Sequence, residues 1–207
     1  MKKDTINMLI GIGISATLVL ATVYIMSRFK RIKCSDSFLF VGDSSTAGSY
    51  SYADKFMNWC KNPKNKKIAK SGAKTSWMLS ELSSELNNNK YDVVTILAGS
   101  NDIFSGTPIS ESKSNMNKMI RLAKSKGANI VVITPPYKGY LSRTTQKQWS
   151  LIKEWNSFLK NHKTPIKFID FSKIVQDKSL FASDNQHVNS AGHQVLFNAY
   201  LKKLNIS

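Results

Sequence analysis

Cysteine is nearly absent from this chain, histidine is rare, and carboxylates are outnumbered. The 207 residues include two cysteines, Cys34 and Cys60, and three histidines, His162, His187 and His193. The cysteine spacing offers neither a zinc site nor a redox dithiol. Sequence alone does not bring the two within bonding distance, so they are expected as unpaired thiols; a disulfide would need an oxidising compartment. With 13 Asp and Glu against 30 Lys and Arg, the formal net charge is +17. Such a surplus fits either a lysine-rich solvated surface or contact with an anionic polymer or lipid head group. The lysines are scattered and match no nucleic-acid motif, so no specific nucleic-acid binding is expected. Apolar residues make up 42% of the chain, which excludes wholesale disorder. No internal repeat or low-complexity linker is present.

One long apolar run is present. Residues 6–26 carry no charge, and a helix of that length spans roughly 30 Å, the thickness of a bilayer core. A cleaved signal peptide would have a shorter core and a small-residue cleavage site; Tyr24-Ile25-Met26-Ser27-Arg28 is a poor one. The expectation is a retained, single-pass N-terminal transmembrane helix. It would make residues 1–33 a membrane anchor with a basic flank and residues 34–207 the soluble domain. Four Lys or Arg follow the run and two precede it, so the positive-inside rule, taken literally, puts the domain in the cytoplasm.

Beyond the run, apolar segments alternate with helical patterns. Strands are expected at Phe38–Val41, Lys67–Ala69, Val93–Ala98, Ile130–Thr134 and Ile166–Phe171. Helices are expected at Ala53–Cys60, Ser76–Leu86, Ser110–Lys126, Thr145–Lys160 and Ser190–Leu204. In the fourth helix Leu151, Ile152, Trp155, Phe158 and Leu159 fall on one buried stripe. This alternation predicts an α/β fold, three-layer α/β/α, with a mostly parallel five-stranded sheet. Sites in such sheets lie along the edge formed by the C-terminal strand ends.

Four segments carry chemistry. Gly42-Asp43-Ser44 follows the first strand and places a serine hydroxyl at the lip of a tight turn. Ser71-Gly72 and Gly99-Ser100-Asn101-Asp102 follow the second and third strands; Asp184-Asn185-Gln186-His187 precedes the last helix. A serine hydroxyl needs a base to take its proton. His187 is the candidate, with Asp184 placed to hold the opposite ring nitrogen. His162 is read as a solvated surface residue and His193 as structural. The backbone N–H groups of Ser44 and Gly72 and the side-chain amide of Asn101 could stabilise an oxyanion. Taken singly, each segment is an ordinary turn; their joint order after successive strands is what distinguishes them.

With these four blocks, the chain resembles the SGNH hydrolases, also called GDSL-type esterases and lipases, over about residues 37–204. The stretch Val188-Asn189-Ser190-Ala191-Gly192-His193 is similar to the family's segment after its histidine. The resemblance implies an SGNH, flavodoxin-like fold with Ser44 as nucleophile, His187 as general base and acid, and Asp184 as its partner. Ser44, Gly72 and Asn101 would form the oxyanion hole, with no metal and no organic cofactor. Ser45 and Val188 depart from the usual pattern, and a small polar residue at 45 is expected to loosen the turn. The expected function is a membrane-anchored serine ester hydrolase working through an acyl-serine, acting on O-acetyl groups of a polysaccharide or cell-wall glycan. An N-terminal anchor on a cell-wall enzyme needs the orientation opposite to the literal charge rule, and both orientations stay open. Fatty acyl substrates (lysophospholipid or thioester) and a non-enzymatic basic tether are the alternatives.

Overall fold

The first strand, β1 (Phe38–Gly42), is buried at all five positions, so its side chains must meet apolar partners on both faces of a sheet. The computed structural model describes residues 31–136 and 145–206. Its contacts divide the chain after Ile32, and the fold below is that of the unit from Lys33 onward. The apolar run of residues 6–26 lies outside the described residues. Among the described residues, no helix is long and apolar enough to cross a membrane.

The chain continues through α1 (Ser44–Ala47), α2 (Tyr52–Cys60), β2 (Lys66–Ala69), α3 (Thr75–Asn88) and β3 (Val93–Leu97). Then follow α4 (Ser100–Phe104), α5 (Ile109–Ser125), β4 (Asn129–Ile133), α6 (Gln146–Lys160), β5 (Lys167–Ile169), α7 (Phe171–Ile174) and α8 (Ser190–Leu204). The five strands are parallel, in the order β2-β1-β3-β4-β5. β1, β3 and β4, in the middle, are almost continuously apolar because helices cover both faces. β2 is an edge strand, reads Lys-Lys-Ile-Ala and is partly exposed, a composition that discourages pairing with another sheet.

Alternation along β1 divides the core. Leu39 pairs in register with Val94, and Val94 with Ile130; Val41, Ile96 and Val132 form the next row. These rows pack with Met78, Leu82, Met119, Ile120 and Trp155, from α3, α5 and α6. The α6 stripe is as expected: Ile152, Trp155 and Leu159 are buried, and Leu151 and Phe158 are partly so. Phe38 and Phe40 face the other way, into an aromatic layer with Tyr52, Phe56 and Tyr200 from α2 and α8. The Tyr200 hydroxyl is 2.6 Å from Thr95 Oγ1, which satisfies both groups inside the layer. Each fully buried large apolar side chain is worth about 1.5–3 kcal/mol.

The two cysteines are not free thiols, contrary to expectation. Cys34, just before β1, is bonded to Cys60 at the end of α2, with Cα atoms 5.0 Å apart. α2 carries the chain back toward the start of β1, a return path that no local sequence pattern shows. The closed loop spans 26 residues, and chain entropy alone gives such a bridge roughly 3 kcal/mol.

Candidate active site

Where β1 ends, Asp43 caps α1, and its Oδ1 accepts the Ser45 N–H at 3.0 Å. This is the usual use of Asp at an N-cap. It makes Ser44 the first residue of a short helix. The other carboxylate oxygen accepts the Ser100 hydroxyl at 2.8 Å, so the turn after β1 is bound to the turn after β3. Asp43 is 2% exposed. Burial raises its pKa, opposed by the bonds from Ser100 and Ser45. The turn expected to be loosened by Ser45 is braced through this carboxylate, and the Ser45 side chain is itself buried.

The loop before α8 is fastened at several points. Phe181 and Val188 form an antiparallel bridge, and Ala182 N–H donates to the His187 carbonyl at 2.8 Å. Asn189 caps α8 by accepting the Gly192 N–H at 3.0 Å. Asp184 folds the turn onto itself, its Oδ1 accepting the Gln186 and His187 amides at 2.8 and 2.9 Å. Its Oδ2 lies 2.7 Å from His187 Nδ1, and His187 Nε2 lies 3.0 Å from Ser44 Oγ. An ionised carboxylate only accepts, so Nδ1 carries the proton and Nε2 is free to accept from the serine hydroxyl. Burial would raise the Asp184 carboxyl, but the bonds from the His187 ring and from the His187 and Gln186 amides hold it down at about 2. It stays anionic at neutral pH, as the tautomer requires.

Two further turns adjoin. Gly72 follows β2 with φ +75°, a conformation that favours glycine, and a Cβ there would meet open space. Its neighbour Ala73 accepts a bond from Asn101 Nδ2 at 3.0 Å, so one amide hydrogen orients Asn101 and the second is left over. Asn101 is in the first turn of α4, after Gly99 at φ +110°; a Cβ on Gly99 would lie 2.4 Å from the Trp155 ring. Asp102, 1% exposed, accepts from Thr75 N at 3.0 Å, Thr75 Oγ1 at 2.6 Å and Ser112 Oγ at 3.2 Å. It thereby fixes α4 to α3 and α5.

Ser44, His187 and Asp184 are thus in hydrogen-bonded sequence, and Gly72 and Asn101 are joined through Ala73. Sequence reasoning missed the braces: Asp43 to Ser100, and Asp102 to Thr75. An Asp before Ser-Ser-Thr-Ala is a readable N-cap signal, but its second partner is 57 residues away. His162 is not the solvated residue expected: its Nε2 is 2.8 Å from Asn117 Oδ1 and its ring meets Phe158 edge-on. His193 is 7% exposed, its Nδ1 has no hydrogen-bond partner, and it lines a cavity of about 390 Å³ beside the serine. Ser44, Tyr50, Ser71 and His187 line the same cavity.

A family model described as the GDSL-like Lipase/Acylhydrolase family matches residues 40–195. No curated protein sequence matches the chain. Among solved structures, a catalytic mutant of Axe2, an acetylxylan esterase from Geobacillus stearothermophilus, superposes with a TM-score of 0.70 at 17% identity, covering 86% of this chain and 98% of that one. A protein described as lipolytic and of the G-D-S-L family, from Desulfitobacterium hafniense, gives 0.68 at 15% identity over 81% and 99%. TesA gives 0.67 at 18% identity over 81% and 97%. At these identities the likeness is one of fold.

His193 generates a pH prediction. Burial, then the nearby Lys55, lower its pKa from 6.5 to about 4, with Asp54 opposing and His187 and Lys67 adding to the fall. Between those values the unfolded chain binds a proton that the folded domain refuses. Its contribution to stability is therefore complete above pH 6.5 and is lost as pH falls toward 4. Urea unfolding near pH 7.5 and near pH 4.5 should differ by roughly 2 kcal/mol more in the wild type than in His193→Asn. Equal pH dependence in the two proteins would contradict the assignment.

Proposed function

We propose, from the premise that this chain belongs to the GDSL-like lipase/acylhydrolase family and is an SGNH-type ester hydrolase, that it removes O-acetyl groups from a polysaccharide or cell-wall glycan. The observation that carries the chemistry is the 3.0 Å contact between Ser44 Oγ and His187 Nε2, backed by the 2.7 Å contact between His187 Nδ1 and Asp184. As Ser44 Oγ attacks the ester carbonyl, His187 Nε2 takes its proton, and the Asp184 carboxylate stabilises the imidazolium. The carbonyl oxygen gains negative charge and is met by the N–H groups of Ser44 and Gly72 and by the remaining Asn101 amide hydrogen. The tetrahedral species collapses, and His187 returns the proton to the departing alcohol oxygen. Water deprotonated by His187 then releases the acid from the acyl-serine.

Two features support a small acyl group on a glycan. Five of the eleven residues lining the cavity beside Ser44 are serines, and His193 adds a buried ring nitrogen, which suits hydroxylated substrates better than a fatty chain. The net charge of +17 suits an anionic polymer. A fluorophosphonate probe should label wild type and not Ser44→Ala, and Asn101→Ala should lose about 10²–10³ in kcat on 4-nitrophenyl acetate. Absence of labelling in folded protein would favour a basic tether, and peak activity on long-chain 4-nitrophenyl esters would favour a lipid or thioester substrate.

We further propose that residues 6–26 anchor the chain and that the catalytic domain lies on the oxidising side of the membrane. The bonded pair Cys34–Cys60 supports this over the literal charge rule, because disulfides seldom persist in reducing compartments. Protease added to intact cells should then remove the domain; protection until lysis would reverse the orientation.

A further inference from the structure

We infer that the cavity beside Ser44 is a sugar-ring subsite and that Tyr50 is the aromatic wall that sets specificity for carbohydrate-borne esters. This rests on the ester-hydrolase reading and names how its substrate is held. Tyr50 is 72% exposed; the other exposed large apolar side chain among the described residues, Trp59, rests against Phe56 and Phe197. Tyr50 also sits at φ +66°, in the left-handed region, which is a genuine outlier for a bulky residue. Lys61 and Asn205 share that conformation as helix C-caps, and Asn185 lies in the turn before His187. Tyr50 caps nothing.

The strained residue is held in place. On one side, Gly48 N–H donates to the Ser44 carbonyl at 3.0 Å; on the other, Ser51 N–H donates to the Gly48 carbonyl at 3.2 Å. Ser51 is fully buried, caps α2 by accepting the Asp54 N–H, and donates to the Asp54 carboxylate at 2.9 Å. Lys67 Nζ ties Asp54 to the Ala47 carbonyl at 2.6 and 3.3 Å. The loop from Ser44 to Ser51 is therefore pinned at both ends while it presents a solvent-exposed ring beside the nucleophile. Local strain of this kind concentrates at ligand clamps.

The cavity fits the ligand class. At about 390 Å³ it lies within the usual range of small-molecule sites, about 300–1,000 Å³. A sugar ring has an apolar C–H face and a rim of hydroxyls. The face matches the electron-rich face of Tyr50; the rim matches the hydroxyls of Ser49, Ser71 and Ser190. His193, held neutral by burial at physiological pH, adds a buried polar group without a protein partner.

The test uses Tyr50→Gly and Tyr50→Phe, with acetylated xylo-oligosaccharides and ethyl acetate as substrates. Glycine relieves the backbone strain, so Tyr50→Gly should melt at the wild-type temperature or about 2–4 °C higher. Its ratio of kcat/KM on the oligosaccharide to that on ethyl acetate should fall about 10-fold, mainly through KM, as expected for loss of a desolvated aromatic contact. Tyr50→Phe should keep most of the ratio. A lowered melting temperature in Tyr50→Gly would make the ring structural, and an unchanged ratio would remove it from the site; either overturns the inference and leaves the hydrolase reading intact. Wild type active on ethyl acetate but inert on the oligosaccharides would overturn the subsite together with the glycan proposal. Wild type inert on both would overturn the hydrolase reading as well.

Discussion

The Asp43 carboxylate links the two turns on which the site is built. One oxygen holds the Ser45 amide and the other holds the Ser100 hydroxyl, so the turn carrying Ser44 and the turn carrying Asn101 cannot drift apart. β1 and β3 are neighbours in the sheet, and the strand order reverses across them, which is where a cleft opens at the C-terminal edge of such sheets. The cost of burying the carboxylate is offset by its bonds, and removing either partner would leave an acceptor unsatisfied inside the protein. Asp102 does the same one layer out, binding α4 to α3 and α5.

With that frame rigid, the remaining parts are local. Asp184 fixes its own loop through two amides before it receives the His187 ring. One carboxylate therefore sets both the backbone of the loop and the tautomer of the base. Gly72 supplies a left-handed turn beside open space, and Ala73 turns the Asn101 amide. One cavity wall runs from Ser44 and His187 to Tyr50 and His193, so the serine–histidine pair and the exposed ring of Tyr50 share one surface.

Much of this was legible in the sequence, for identifiable reasons. β1 reads as an unbroken apolar run because both its faces are buried. The α6 stripe reads as helix because its period is 3.6 over 15 residues. The four blocks were readable because each follows a strand or precedes a helix in fixed order. What escaped was either short or long-range. α1 and α4, of four and five residues, are too brief to show a period. Strands β4 and β5 end earlier than expected, at Ile133 and Ile169, because an apolar run does not mark where ladder pairing stops. The Cys34–Cys60 bond, the Asp43–Ser100 brace and the His162–Asn117 contact join residues 26, 57 and 45 apart. No local pattern carries such pairings. The strain at Tyr50 is a property of φ alone, invisible in residue type.

The central claim is that Ser44 is a nucleophile facing a preformed anion cradle. The most direct measurement is a crystal structure of the protein after reaction with an alkyl phosphonofluoridate. The account predicts phosphorus bonded to Ser44 Oγ and the phosphonyl oxygen about 2.7–3.1 Å from Ser44 N, Gly72 N and Asn101 Nδ2. An adduct on another residue, or a phosphonyl oxygen turned away from all three donors, would contradict it.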